Sequence, residues 1–131
     1  MSEKQDENVY PLFPILKGES VGESGEFSGR VYIVQSPDEL STEWEADHIV
    51  VLHHDLAKYL DDNPGILDDL FSNVRAVIAE FGESISDFAS FSYVREAIGI
   101  IKVQDATHVL ENDMHIRVVA EENIGEIFFV D

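Results

Sequence analysis

The sequence predicts a single α/β domain in which short buried strands alternate with helices. Three observations carry this. Apolar runs of strand length recur, as in His48-Ile49-Val50-Val51-Leu52 and Val74-Arg75-Ala76-Val77-Ile78-Ala79. Between such runs, apolar residues fall at three- and four-residue spacing, most clearly Ile85, Phe88, Ala89, Phe91, Val94, Ala97 and Ile98. The chain has 131 residues, 44% of them hydrophobic, which suits one ordinary domain with one core.

Residues 1–10 are polar, acidic and aperiodic, so a disordered tail is expected there, with the domain occupying 11–131. Gly18, Gly22, Gly25 and Gly29 follow at short intervals and mark turns or close backbone approaches. Arg30-Val31-Tyr32-Ile33-Val34 is β-branched and aromatic, and reads as a strand. Ser36-Pro37-Asp38-Glu39 is a helix start, with Ser36 as cap and Pro37 at the first helical position. After the His48–Leu52 strand, helical turns are expected from Asp55 to Leu60 and from Ile66 to Phe71, around the Asn63-Pro64-Gly65 turn. Beyond the Val74–Ala79 strand come a loop at Glu80-Phe81-Gly82-Glu83 and a helix over 84–97, stopped by Gly99. Ile100–Val103 reads as a strand and Asp105–Leu110 as a short helix. Met114–Val119 and Glu126–Val130 read as strands close enough in sequence to pair antiparallel.

Charge narrows the partners. Lys and Arg total 8 against 27 Asp and Glu, a formal net charge of −19. Such a surface repels nucleic acid and anionic membranes, and favours basic proteins or metal cations. No run approaches the ~20 apolar residues of a spanning helix, and the acidic start has no secretory pattern. A cytoplasmic protein is expected. With no cysteine there is no disulfide, thiolate nucleophile or thiolate metal site.

Ile15-Leu16-Lys17-Gly18, Ser28-Gly29-Arg30-Val31 and Asp47-His48-Ile49-Val50-Val51, taken in this order, resemble the opening turn, first long strand and second strand of the mobile domain of phosphoenolpyruvate-utilising enzymes, the phosphohistidine domain of pyruvate phosphate dikinase and phosphoenolpyruvate synthase. Arg75-Ala76-Val77-Ile78 falls where its central strand enters the active loop. Gly82 and Ser86 match parts of the loop pattern Gly-Gly-x-x-Ser-His, and Arg95-Glu96 with Gly99-Ile100 the run that follows. Ala106-Thr107 and Asn112-Asp113 resemble the closing segment. The resemblance implies a swivelling β/β/α domain that passes a phosphoryl group between a nucleotide-binding domain and a pyruvate-binding barrel. Proteins of those two kinds are therefore the partners it implies.

The departures fall on the phosphate loop. Asp87 stands in place of the phosphorylated histidine, Glu83 replaces the second glycine, and Ile101 or Lys102 takes the place of a proline. The implied function is a stand-alone relative without phosphohistidine carriage that binds or regulates a partner. Two alternatives are an active phosphotransfer subunit using Asp87 or a recruited histidine, and an acidic binding module retaining only the fold. The resemblance makes Gly82, Glu83, Ser84, Ser86 and Arg95 the phosphate-loop residues around Asp87. Ser84-Ile85-Ser86-Asp87 also fits a helix-capping signal, with Asp87 favoured by the helix dipole. Arg95 is either an anion ligand or half of a surface ion pair.

His53 and His54 are the alternative phosphoacceptors. Two imidazoles and Asp55 are also zinc or nickel ligand types. Adjacent residues of an extended chain point oppositely, however, so His53-His54-Asp55 is expected to be a loop after a strand. No metal site is expected. No cofactor is expected either, except Mg²⁺, with help from Glu80 and Glu83, if Asp87 accepts phosphate.

Overall fold

The structure is a computed structural model that describes residues 13–82 and 87–130. The expected tail at 1–10, and Glu83, Ser84 and Ser86 of the expected phosphate loop, lie outside these residues. Among the described residues seven strands form: β1 (Leu16–Ser20), β2 (Gly25–Val34), β3 (His48–Leu52), β4 (Ala76–Ala79), β5 (Ile98–Ile101), β6 (His115–Glu121) and β7 (Ile124–Phe129). Four helices accompany them: α1 (Ala57–Asp62), α2 (Pro64–Asn73), α3 (Asp87–Val94) and α4 (Ala106–Val109).

The strands close into one barrel in the order β1-β5-β4-β3-β2-β6-β7. The expected swivelling β/β/α architecture is thereby corrected. All the sheet edges join in a ring, and the sheet is mixed. β2, β3, β4 and β5 run parallel, while β1, β6 and β7 join by antiparallel pairs and complete the ring. Ten-residue β2 makes this possible. Its first half pairs with β6 (Gly25↔Ala120) and its second half with β3 (Val34↔Leu52). Arg30 sits at the crossover. Its Nε donates to Asp47 at 2.7 Å, and its guanidinium also binds Glu45 and reaches Asp113 at 3.4 Å. It thus ties the entries of β3 and β6 to one point of β2. The Arg30 guanidinium holds the Asp47 carboxyl below its usual range.

Strand periodicity divides the core in two. Inward-pointing Val31, Ile49, Val51, Ala76, Ile78, Ile98, Ile100, Ile116, Val118 and Ile127 fill the barrel. Val103, Ala106 and Leu110 join this cluster, so α4 and its flanks plug one mouth. Outward-pointing Val50, Leu52, Val77, Ala79 and Ile101 meet Leu56, Leu60, Leu67, Leu70, Phe71 and Phe88 from the helices. Being covered on both faces, β3, β4 and β5 are continuous apolar runs and are buried throughout. β6 faces solvent on one side and alternates instead.

Closure requires close approaches. A Cβ at Gly125 of β7 would lie 2.7–2.8 Å from three atoms of the Ile100 side chain. Overpacking there has no flexible neighbour to absorb it, because Ile100 is itself fully buried. Gly125→Val is expected to destabilise the protein by about 3 kcal/mol, read as a lower urea midpoint with an unchanged slope.

β6 and β7 form the expected antiparallel pair, joined through Asn123 in the left-handed region (φ 71°), which asparagine tolerates. Two expectations needed revision. β1 is a strand although Lys17, Gly18 and Glu19 give it no strand-like composition; it forms because β5 and β7 flank it. The Ser36 start leads only into a 3-10 turn, Pro37–Leu40, where Glu39 accepts from the Ser36 amide at 3.2 Å.

Candidate functional site

In open parallel sheets, ligands gather where the strands end at their carboxyl termini. Here the carboxyl ends of β3, β4 and β5 bring together His53-His54-Asp55, Glu80-Phe81-Gly82 and Lys102. α4, which plugs this mouth, adds Thr107. Backbone left of the usual regions gathers here too: Gly82 (φ 123°), Lys102 (φ 61°) and Asp105 (φ 63°). Such conformations cost of order 1 kcal/mol for residues with a side chain and concentrate at functional edges. At Gly82 a Cβ would also meet Ile101 Cγ2 at 2.8 Å. That glycine is thus required by the turn over β5.

Glu80 organises the rim. Its side chain is only 3% exposed. One carboxylate oxygen accepts from the His54 amide at 2.9 Å and lies 3.0 Å from His54 Nδ1. The other accepts from the Thr107 amide at 2.7 Å and the Thr107 hydroxyl at 2.8 Å. Burial pushes the Glu80 carboxyl up, but the hydrogen bonds from Thr107 and His54 outweigh it and hold the group down at about 2. It is a buried anion neutralised by dipoles, and it pins three separate loops.

The same contact fixes His54. A carboxylate accepts only, so Nδ1 carries a proton toward Glu80. Nε2 lies 3.3 Å from Asp55 Oδ1, and the ring is 63% exposed. A solvent-facing imidazole nitrogen backed by a buried carboxylate is the arrangement of a general base. His53 takes the opposite tautomer: its Nδ1 accepts from the Asp55 amide at 3.0 Å.

The expectation that the two histidines diverge is corrected. His53 is extended (φ −70°, ψ 150°), but His54 begins the 3-10 turn His54–Leu56. The change of backbone brings the rings into a stack, with centroids 4.1 Å apart and planes 29° from parallel.

The remaining candidates scatter. Asp87 opens α3 and is exposed; among the described residues, no hydrogen bond or ion pair joins it to His53 or His54. Arg95 follows the other end of α3 and makes a two-pronged pair with Asp68, at 2.9 and 3.1 Å. It is half of a surface ion pair, with Asp68 of α2 as its partner, and it depresses the Asp68 carboxyl. His48 is a core ring beside Tyr32 and Trp44, its Nδ1 accepting from the Glu45 amide.

Sequence reasoning passed over the dyad of Glu80 and His54, and the role of Thr107. A signal was present. Each of the two dyad residues comes within two positions of the end of a buried strand, and Glu80 is the first polar residue after four apolar ones.

No family model matches the chain, and no curated protein matches it. Among solved structures, it is similar to a chain of Thermococcus kodakaraensis aconitase X in its holo-form. The identity is 17% and the TM-score 0.53, over 86% of this chain and 97% of that one. The likeness is one of fold. It overturns the resemblance to the phosphoenolpyruvate-utilising mobile domain, which rested on scattered glycines and short apolar runs. A closed barrel requires such features for its own packing, as Gly82 and Gly125 show. The readings built on that resemblance, a phosphotransfer subunit or its inactive relative, fall with it.

Proposed function

We propose that the chain is a small barrel subunit of a dehydratase-type enzyme, offering its carboxyl rim to a reaction centre that a larger protein partner completes. The observation that carries this reading is the pairing of buried Glu80 with exposed His54. Eliminating water from a hydroxy acid needs a base to take the proton beside the carboxylate and an acid to protonate the departing hydroxyl so that it leaves as water. An imidazole with one fixed tautomer serves the first of these tasks. The barrel interior is filled with side chains, so the chemistry belongs to the rim. That rim is open to water, and a second wall is needed to exclude it.

The similarity to aconitase X supports the same reading, since this barrel accounts for nearly the whole of a chain of that enzyme. A net charge of −19 favours a basic face on the partner. Among the described residues no helix is long and apolar enough to cross a membrane; we place the assembly in the cytoplasm.

The test is to purify the chain natively with its bound partner and to assay water elimination from hydroxy carboxylic acids. His54→Gln is carried in parallel. The variant complex is expected to assemble, with turnover reduced by roughly 10²–10⁴-fold. Equal rates in both complexes, or no elimination by the assembled wild-type complex, contradict the reading.

A further inference from the structure

We propose that His53, His54 and Asp55 hold one divalent transition-metal ion of the zinc, cobalt or nickel class on the carboxyl rim. Each of the three residues offers a ligand atom, and these atoms lie within 4.8 Å of one another. His54 Nε2 and Asp55 Oδ1 are 3.3 Å apart. Two ligands about 2.0–2.1 Å from a tetrahedral metal stand roughly 3.4 Å apart, so this pair needs almost no rearrangement. His53 Nδ1 is 3.6 Å from Asp55 Oδ2 and supplies the third position. To bind there it gives up the hydrogen bond from the Asp55 amide.

The second shell is already built. Metal-bound histidines usually donate their other ring nitrogen to a carboxylate, which fixes the tautomer and strengthens the ligand. Glu80 does this for His54 at 3.0 Å, from a side chain that is itself almost wholly buried. Thr107 holds the other carboxylate oxygen, so the ring cannot swing without breaking a network that spans three loops.

The donor chemistry selects the ion. Two imidazoles and one carboxylate suit zinc, cobalt, nickel or copper, whereas magnesium and calcium prefer an all-oxygen shell. His54 and Asp55 face solvent, which leaves coordination positions for water or a substrate oxygen. The acidic surface draws cations toward the rim.

Metal and proton compete for the same Nε2 lone pair, so an occupied site silences the acid–base role of His54. The metal-bound and metal-free rims are therefore alternative states, and the general-base reading of His54 applies to the metal-free one. The metal site is tested on the purified chain alone, without turnover.

The experiment titrates Co²⁺ and Zn²⁺ into the tag-free chain in excess Mg²⁺, which saturates non-specific acidic sites. Binding is followed by calorimetry and by the visible spectrum of cobalt. One ion per chain is expected, with a spectrum showing nitrogen ligation. His54→Ala and Asp55→Asn should each abolish that spectrum while the circular dichroism stays unchanged. Glu80→Gln should weaken binding by roughly 10–100-fold, because it removes the outer-shell acceptor. His115→Ala, on β6, should leave binding as it was. Absence of stoichiometric binding, or binding unaffected by His54→Ala and Asp55→Asn, would overturn the proposal.

Discussion

Phe88→Ala is expected to destabilise the protein by about 3–5 kcal/mol, the usual cost of emptying a buried aromatic site. Phe88 is 2% exposed and lies in the outer core. Its ring meets Phe71 of α2 edge-on, with centroids 5.0 Å apart and planes at 80°. This one side chain joins α3, α2 and the outer face of β5, where it packs over Gly99. Chemical unfolding should show a lower midpoint with an unchanged slope, as for a cavity in an otherwise intact fold. Asp87, one residue earlier and exposed, supplies the contrast. As an exposed first-turn acid it is favoured by the helix dipole, so Asp87→Asn should cost less than about 1 kcal/mol. If Asp87 matters more than Phe88, the description of α3 as a packing element is wrong.

Glu80→Gln should cost about 3 kcal/mol, the scale of lost hydrogen bonds to a buried charged group. The charge matters less here than the geometry. Both carboxylate oxygens face donors, and an amide presents its own NH₂ to either His54 or Thr107. One donor set is left facing another. The pH dependence gives an independent signature. Glu80 is depressed from about 4.5 to about 2. The folded state therefore binds its proton less readily than the unfolded chain. Its contribution is fully present above about 4.5 and is lost as pH falls toward 2. Across that window wild-type stability should fall more steeply with acid than that of Glu80→Gln. Urea midpoints at several pH values check this. Parallel curves would remove Glu80 from its central place.

Much of the parallel half of the fold was legible in the sequence. The His48–Leu52 run is β3 to the residue. The apolar runs around β4 and β5 were found within two or three positions, because strands covered on both faces announce themselves by continuous hydrophobicity. The expected 84–97 helix overlaps α3, and the described part runs only from Asp87 to Val94. Closure was not legible. It depends on β1, whose Lys17, Gly18 and Glu19 hide a strand made by its neighbours. β5 and β7, which close on β1, lie far along the chain: Glu19 pairs with Ile101 and Leu16 with Ile127. Alternation of strands and helices points to a layered α/β domain and does not reveal the closure.

The site was half legible for a related reason. His53 and His54 are candidates from the sequence as alternative phosphoacceptors, and Glu80 as a possible aid to Mg²⁺ near Asp87. Their conjunction depends on the parallel register of β3 and β4, in which Leu52 pairs with Ala79, so that both strands end at one level and Glu80 reaches His54. It depends also on the extended-to-3-10 switch at His54, which turns two diverging rings into a stack. Neither feature is written in local composition. The phosphate-loop pattern misled because Gly82 is demanded by a positive φ and by Ile101 beneath it.

The central claim is that a buried carboxylate fixes the His54 ring with Nδ1 turned to Glu80 and Nε2 at the exposed rim beside Asp55. Nitrogen-15 NMR of the imidazole rings at neutral pH tests it directly, with His54→Gln to assign the signal. The structure predicts that neutral His54 carries its proton on Nδ1, that Nε2 has the shift of an unprotonated nitrogen, and that Glu80→Gln changes this pattern. A His54 ring protonated on Nε2, or averaging freely between tautomers as in an unstructured peptide, would contradict the claim.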